Sequence, residues 1–225
     1  KDPLLRARLH WTMAGAAIEQ GDAGDLMFHL GKASEMFTEL DDAEGLALCL
    51  WVRASATAGE DQELGAKLFL EAEQANLAVG LVFTAVICTS VAGMLLAVTG
   101  KPEEAEACLA RGLQQAESID NPMLRAQAVT LRGMTRLGQG RVDEAASDLV
   151  AGADFAHIAG NPETLCFAIE GLAAVQLARN AVDEKAVMLV AAAQGIRDRA
   201  GIVPWPLIRP YSDMIAAGVK AAAPP

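Results

Sequence analysis

Four cysteines, three histidines and adjacent carboxylates such as Glu103-Glu104 and Asp143-Glu144 are the residues of this sequence best equipped for chemistry. A thiolate or an imidazole can serve as nucleophile, base or metal ligand, and two carboxyls facing one cleft can divide acid and base work. Their spacing supports none of these roles. His10, His29 and His157 form no His-Glu-x-x-His motif and no paired spacing, so they read as surface or cap histidines. Cys49, Cys88, Cys108 and Cys166 lie far apart in apolar runs. They read as reduced core thiols of a cytoplasmic protein, not as a disulfide frame or a zinc site. Glu103-Glu104 and Asp143-Glu144 recur at one position of a repeating unit, as charge paired with helix N-termini would. Gly138-Gln139-Gly140 holds half of a dinucleotide fingerprint, but it sits between two helical stretches rather than after a strand, and reads as a turn. No catalytic, cofactor-binding or metal-ligating residue is assigned, and the chain is expected not to be an enzyme.

The elements that carry these residues follow from composition. The 225 residues include 29 acidic and 18 basic side chains, a formal charge of −11. That balance argues against direct nucleic-acid binding, which rests on Lys and Arg neutralising phosphates, and against docking on anionic lipid. Hydrophobic residues make up 52% but aromatics only 4%. An Ala- and Leu-rich chain suits close-packed helices, whereas strands favour aromatic and β-branched residues. Gln74 to Gly100 carries no charge, long enough to raise the question of a membrane span. The repeat described next runs through it unbroken, and it contains Thr84, Thr89, Ser90 and Thr99, so it reads as a buried central helix. The chain begins at Lys1 without a signal-peptide pattern and is expected to be a piece of something longer.

Turns recur at Gly21, Gly59, Gly100, Gly140 and Asn180, at spacings of 38, 41, 40 and 40 residues. Four residues after each stands an acid: Asp25, Glu63, Glu104, Glu144, Glu184. Nine after stands a leucine: Leu30, Leu68, Leu109, Leu149, Leu189. Seven before stands a small or modest residue: Ala14, Val52, Gly93, Gly133, Ala173. The acid belongs in the first turn of a helix, where free N–H groups favour negative charge. The leucine lies two turns on, on the inward face, and the small residue lets the preceding helix approach closely. The unit is a helix pair of about 40 residues.

The sequence therefore predicts an all-α, right-handed superhelical solenoid over 1–225, with pairs at 3–41, 42–80, 81–120, 122–160 and 162–200. A break at 201–206 precedes a capping helix within 204–222, since a terminal unit must cover its neighbour's apolar face. Trp205, between two prolines, reads as a staple of that last helix.

Gly93, Gly100, Ala105 and Leu109, and again Gly133, Gly140, Ala145 and Leu149, give the pattern of small residue, Gly, Ala and large apolar residue that resembles the tetratricopeptide repeat (TPR). The usual period is about 34 residues, so this form is longer, and most of the usual aromatics are absent. The longer form resembles the repeat region of large bacterial LuxR-type regulators related to the maltose regulon activator, of the signal-transducing ATPase class. Lys185–Arg197, Gly201–Pro206 and Tyr211–Ala217 look like the ending of that region. The resemblance implies a cytoplasmic, non-catalytic sensor or interaction module of a transcriptional regulator. Without a Gly-x-x-x-x-Gly-Lys-Ser/Thr loop here, the nucleotide switch is expected outside this segment.

The resemblance also implies a groove lined by the first helix of each pair. Carried across, its positions are Arg8, Trp11 and Gly15; Leu46, Cys49 and Arg53; Ile87, Ser90 and Met94; Gln127, Thr130 and Met134; Phe167, Glu170 and Ala174. Arg8, Trp11, Arg53, Ser90, Met94, Gln127, Thr130, Met134, Phe167 and Glu170 are the chosen contacts for a protein, peptide or small effector. For Met94 and Met134, gap-filling between helices stands as an equal reading. A stand-alone adaptor and a small-molecule sensor remain the alternatives, and the open face of the first helix leaves room for self-association.

Overall fold

The computed structural model describes residues 2–181 and 183–223. Among the described residues there are eleven helices and no strand: α1 (Pro3–Gln20), α2 (Ala23–Glu39), α3 (Ala43–Ala58), α4 (Gln62–Ala78), α5 (Val82–Val98), α6 (Pro102–Ser118), α7 (Pro122–Gly138), α8 (Val142–Ile158), α9 (Pro162–Ala178), α10 (Glu184–Ala200) and α11 (Arg209–Ala222). Helix starts are chemically specified. The side chains of Asp22, Asp42, Asp61, Asn121, Asn161 and Asp183 accept hydrogen bonds from first-turn N–H groups. Pro102, Pro122 and Pro162 occupy the first helical position. Corners turn through left-handed residues such as Gly100, Gly140 and Asn180. The corner at Gly59 differs, with φ −70°, and closes instead by bonds from Glu60 and Asp61 to the Thr57 carbonyl.

The two sequence offsets meet in space. A Cβ on Gly93 would come 2.7 Å from Leu109 Cγ, and one on Gly133 would come 2.9 Å from Leu149 Cγ. In the third and fourth units the small residue before the turn is thus the socket for the leucine after it. At other levels Gly112 lies against Ser90 and Gly152 against Thr130. These close approaches seat α6 on α5 and α8 on α7.

The odd helices touch one another along the row as well as their partners, and α11 continues that row by packing on α9. They form the inner layer of an α-solenoid. The uncharged stretch becomes α5, buried among α4, α6 and α7, with Val86, Cys88, Val91, Ala92 and Leu95 at 1% exposure or less. None of the described helices is long and apolar enough to cross a membrane.

Successive units are also tied by ion pairs. Lys101 bonds Glu63 at 2.8 Å, Arg141 bonds Glu106 at 3.3 Å, and Arg179 bonds Asp143 at 2.6 Å. The buried Glu73 carboxylate takes two bonds from Arg111, at 2.9 and 2.8 Å, and one from Gln115 at 3.0 Å. Burial pushes that carboxyl up, but these donors outweigh it and hold it below the ordinary range.

Candidate functional site

The inner layer leaves two adjoining cavities that share Phe167. The first, about 330 Å³, is an aromatic cavity. The first halves of α5, α7 and α9 supply Phe83, Gln127 and Phe167, and α3 supplies Trp51. Its remaining wall comes from the connection after α10. Trp205 and Ile208 fold back over the groove and pack with Trp51, Leu131 and Phe167. The second, about 470 Å³, is a methionine cavity between the ends of α5, α7 and α9 and the face of α11, with Met94, Met134, Met214 and Tyr211 on its walls. Burial pushes the Tyr211 phenol above its ordinary value.

The 202–208 connection is a strap across the concave face. Trp205, Pro206 and Leu207 also border a depression formed by Ala17 and Ile18 of α1 and Ser55 and Ala56 of α3. The Trp205 backbone N–H donates to the Glu163 carboxylate at 3.2 Å, and the Arg209 guanidinium donates to the Pro204 carbonyl at 3.3 Å. Two prolines limit the conformations of this segment, which lowers the entropy lost in fixing it. Trp205 therefore does more than hold α11: its ring lines the groove.

The groove residues expected from the sequence divide into three groups. Ile87, Gln127 and Phe167 line the aromatic cavity, and Met94, Met134, Phe167 and Ala174 the methionine cavity. In the third, fourth and fifth units the middle member of the triplet faces the helical partner instead. Ser90 is 1% exposed against Gly112, and Thr130, although at the aromatic cavity's edge, directs its hydroxyl at Gly152. Glu170, 3% exposed, is engaged inside the protein. Its carboxylate accepts from both terminal nitrogens of Arg197, one bond being 2.7 Å, and from the Ser212 hydroxyl at 2.7 Å. This joins α9, α10 and α11, and it raises the Arg197 pKa, chiefly through the bond to Glu170.

The first two units sit apart from that row. Arg8 and Trp11 border a depression between α1 and α3, where the Trp11 indole N–H donates to the Leu48 carbonyl at 3.3 Å. Arg53 borders another, with Leu30, Ser34 and Cys49, between α2 and α3. The cause is a change of packing between the second and third units. There α4 lies as closely on α5 as on its own partner α3, and α3 barely reaches α5. The inward face of α3 is rotated, so Trp51 and Ser55 point to the groove in place of Cys49 and Arg53.

Sequence reasoning passed over Trp51, Phe83 and Glu163, and took Trp205 for a staple of the last helix rather than a groove residue. A usable signal existed: in a chain with three tryptophans and six phenylalanines, two of each converge on one cavity.

Elsewhere, Nδ1 of His10 and of His29 lie 2.8 Å apart, one donating and the other accepting. Burial, followed by the charges of His29, Arg6 and Lys32, lowers the His10 pKa. All four cysteines are free and buried, and burial pushes the Cys88 thiol up to about 12. Among the described residues no group of three or more His, Cys, Asp or Glu side chains is placed to hold a metal ion.

No family model matches this sequence, and no curated protein sequence matches it. Solved structures do. A signal-transduction ATPase with a tetratricopeptide repeat sensor from Pyrococcus horikoshii superimposes with a TM-score of 0.67 at 14% identity, over 98% of this chain and 34% of that one. A Rap protein complexed with competence and sporulation factor gives 0.71 at 16%, over 88% and 56%. BtubC from P. vanneervenii gives 0.57 at 16%, over 91% and 94%. The chain thus spans about a third of the first of these structures and just over half of the second. These likenesses establish the fold as a TPR-like helical-repeat solenoid.

Proposed function

We propose that this chain is a non-catalytic binding module that takes a partner segment or effector on its concave face, and that it serves as the sensor of a larger signalling protein. The observation that carries this reading is the pair of adjoining cavities along the odd-helix row, walled by aromatic and methionine side chains. Such side chains adapt to varied apolar surfaces, and volumes of about 300–1,000 Å³ are those of ligand sites. The structural neighbours support the direction. One is an ATPase whose repeat region is called a sensor, and another holds a competence and sporulation factor. A place in a transcriptional regulator rests on the ending at Lys185–Ala217 described above. Assignment to the cytoplasm rests on four buried, unpaired thiols.

The mechanism is differential binding. An occupant shifts the solenoid only by preferring one curvature over another. The strap supplies a structural means, because it touches α1 and α3 at one end of the row and is anchored beside α9 at the other. A thermal-shift screen of peptides and metabolites tests the reading. A true occupant at a hundred times its Kd adds about 2.7 kcal/mol of stability. Phe83→Ala and Met214→Ala, at the exposed edges of the two cavities, should weaken a hit while leaving helicity unchanged. Arg53→Ala, in the separate depression, should leave it intact. A hit indifferent to both cavity variants but lost in Arg53→Ala refutes the groove.

A further inference from the structure

The charge of the aromatic cavity is one-sided. Among the described residues the ionisable side chains lining it are Glu19, at the end of α1, and Glu163, at the start of α9, with no Lys, Arg or His. The rest of the wall is Trp51, Phe83, Phe167 and Trp205, with aliphatic side chains between them. Aromatic faces carry negative quadrupolar potential and attract cations, most strongly when the cation also meets a carboxylate. Resting on the groove reading above, we infer that this cavity is the site of a small organic cation: an apolar body carrying an ammonium or guanidinium group, enclosed between the inner helices and the strap.

Three observations agree. Burial and the neighbouring charge of Glu163 together push the Glu19 carboxyl up, so the two acids already repel each other, and an incoming cation would relieve that repulsion. Arg209 is the nearby basic group. It opposes the shift at Glu19, but its guanidinium is engaged with the Pro204 carbonyl, and one positive charge does not balance two carboxylates. Glu163 also accepts from the Trp205 backbone N–H, so the acid that would meet the cation holds the strap at the residue whose ring would stack on it. An anionic ligand would face carboxylates with no basic partner on the wall. A neutral one would gain at most a hydrogen bond from them, without the charge attraction.

The experiment is a charge series on the whole chain. With ¹⁵N label, the three tryptophans give three indole N–H signals. The probes are 2-phenylethylamine, its neutral counterpart 2-phenylethanol, and the anion 3-phenylpropionate. The amine should shift the Trp51 and Trp205 signals most, and Trp11, whose ring centroid lies 6.4 Å from that of Trp51 and which does not line the cavity, less. It should bind about tenfold more tightly than the alcohol, and less so as salt is added. Glu19→Gln with Glu163→Gln should bring amine affinity down to that of the alcohol. Both side chains are exposed, so the fold tolerates the change. Equal binding of amine and alcohol, tighter binding of the carboxylate, or undiminished preference in the double variant overturns the inference. So does the absence of any shift up to each probe's solubility limit. A screening hit weakened by Met214→Ala would still stand in that event, leaving the groove reading intact while the cation site falls.

Discussion

Replacing Glu170 with Gln keeps the shape of the side chain and removes its charge. In the native protein this carboxylate, 3% exposed, answers the Arg197 guanidinium, 6% exposed, and the Ser212 hydroxyl. The amide leaves a buried cation without a counter-charge and one donor bond short. Breaking a buried pair from one side costs about 3–5 kcal/mol, whereas an exposed pair is worth about 0–1. For a chain of this size each kcal/mol moves Tm by about 2–4 °C, so the variant should melt roughly 6–20 °C lower. The assay is thermal unfolding followed by circular dichroism, with hydrogen exchange to place the loss. Repeat solenoids unfold from their weakest interface, so α10 and α11 should exchange first. Glu170→Met with Arg197→Met, an apolar replacement of both partners, should recover more than half of the loss. A drop below about 1 kcal/mol in the single variant would mean that Glu170 is solvated, as a groove residue would be, and the internal assignment would be wrong.

Other outcomes follow from the same geometry. Gly65→Ala places a Cβ 2.6 Å from the Ala58 backbone Cα, which cannot rotate away. It should cost about 1–3 kcal/mol by chemical denaturation, and more than Gly195→Ala, where the nearest atom is the flexible Arg199 side chain at 3.5 Å. His10 resists protonation in the folded state, while the unfolded chain takes the proton near 6.5. Stability should therefore fall as pH drops through and below that value, and His10→Gln should flatten the slope in denaturant titrations. Because the Cys88 thiol is raised to about 12 and all four thiols are buried, a disulfide reagent should react with the native chain only at its rate of opening. Prompt labelling of any cysteine at pH 8 would contradict that burial.

Much of the fold was legible because it is written in repeated local rules. The corners fall at the predicted turns, and α10 begins only at Glu184, behind its Asp183 cap. Residue 182, within the pair expected over 162–200, lies outside the described residues. The pairing of Gly93 with Leu109 was readable from two offsets because each helix pair is a local unit. The groove was readable only in part, since it depends on how units stack. Ile87, Met94, Gln127, Met134 and Phe167 reach it because the third, fourth and fifth units keep one register. The rotation between α3 and α5 changes the face that α3 presents, and no periodic rule encodes that rotation. Ser90 and Thr130 show a second limit. A helix row has two buried faces, and a polar residue packed against a glycine looks in sequence like one turned to the groove.

The strap changes what an occupant of the groove can do. A plain solenoid bends at every unit interface, and its outer ion pairs, such as Arg179 with the exposed Asp143, are individually weak. Here one segment is fixed by Glu163 at the start of α9, while its Trp205–Leu207 portion lies against α1 and α3. Curvature of the inner row is thereby linked to the position of a single short stretch. A ligand between Trp51 and Trp205 would touch both sides of that link at once, with α3 on one wall and the strap on the other. Its binding energy would act on the span from the first unit to the last rather than on a single interface. On the proposed mechanism the Glu170–Arg197–Ser212 junction would add a mechanical role to its stabilising one: by holding α11 to α9 and α10 it would keep the far end of the strap in place, so that movement at Trp205 would pass to the early units instead of being lost in a loosened terminal helix.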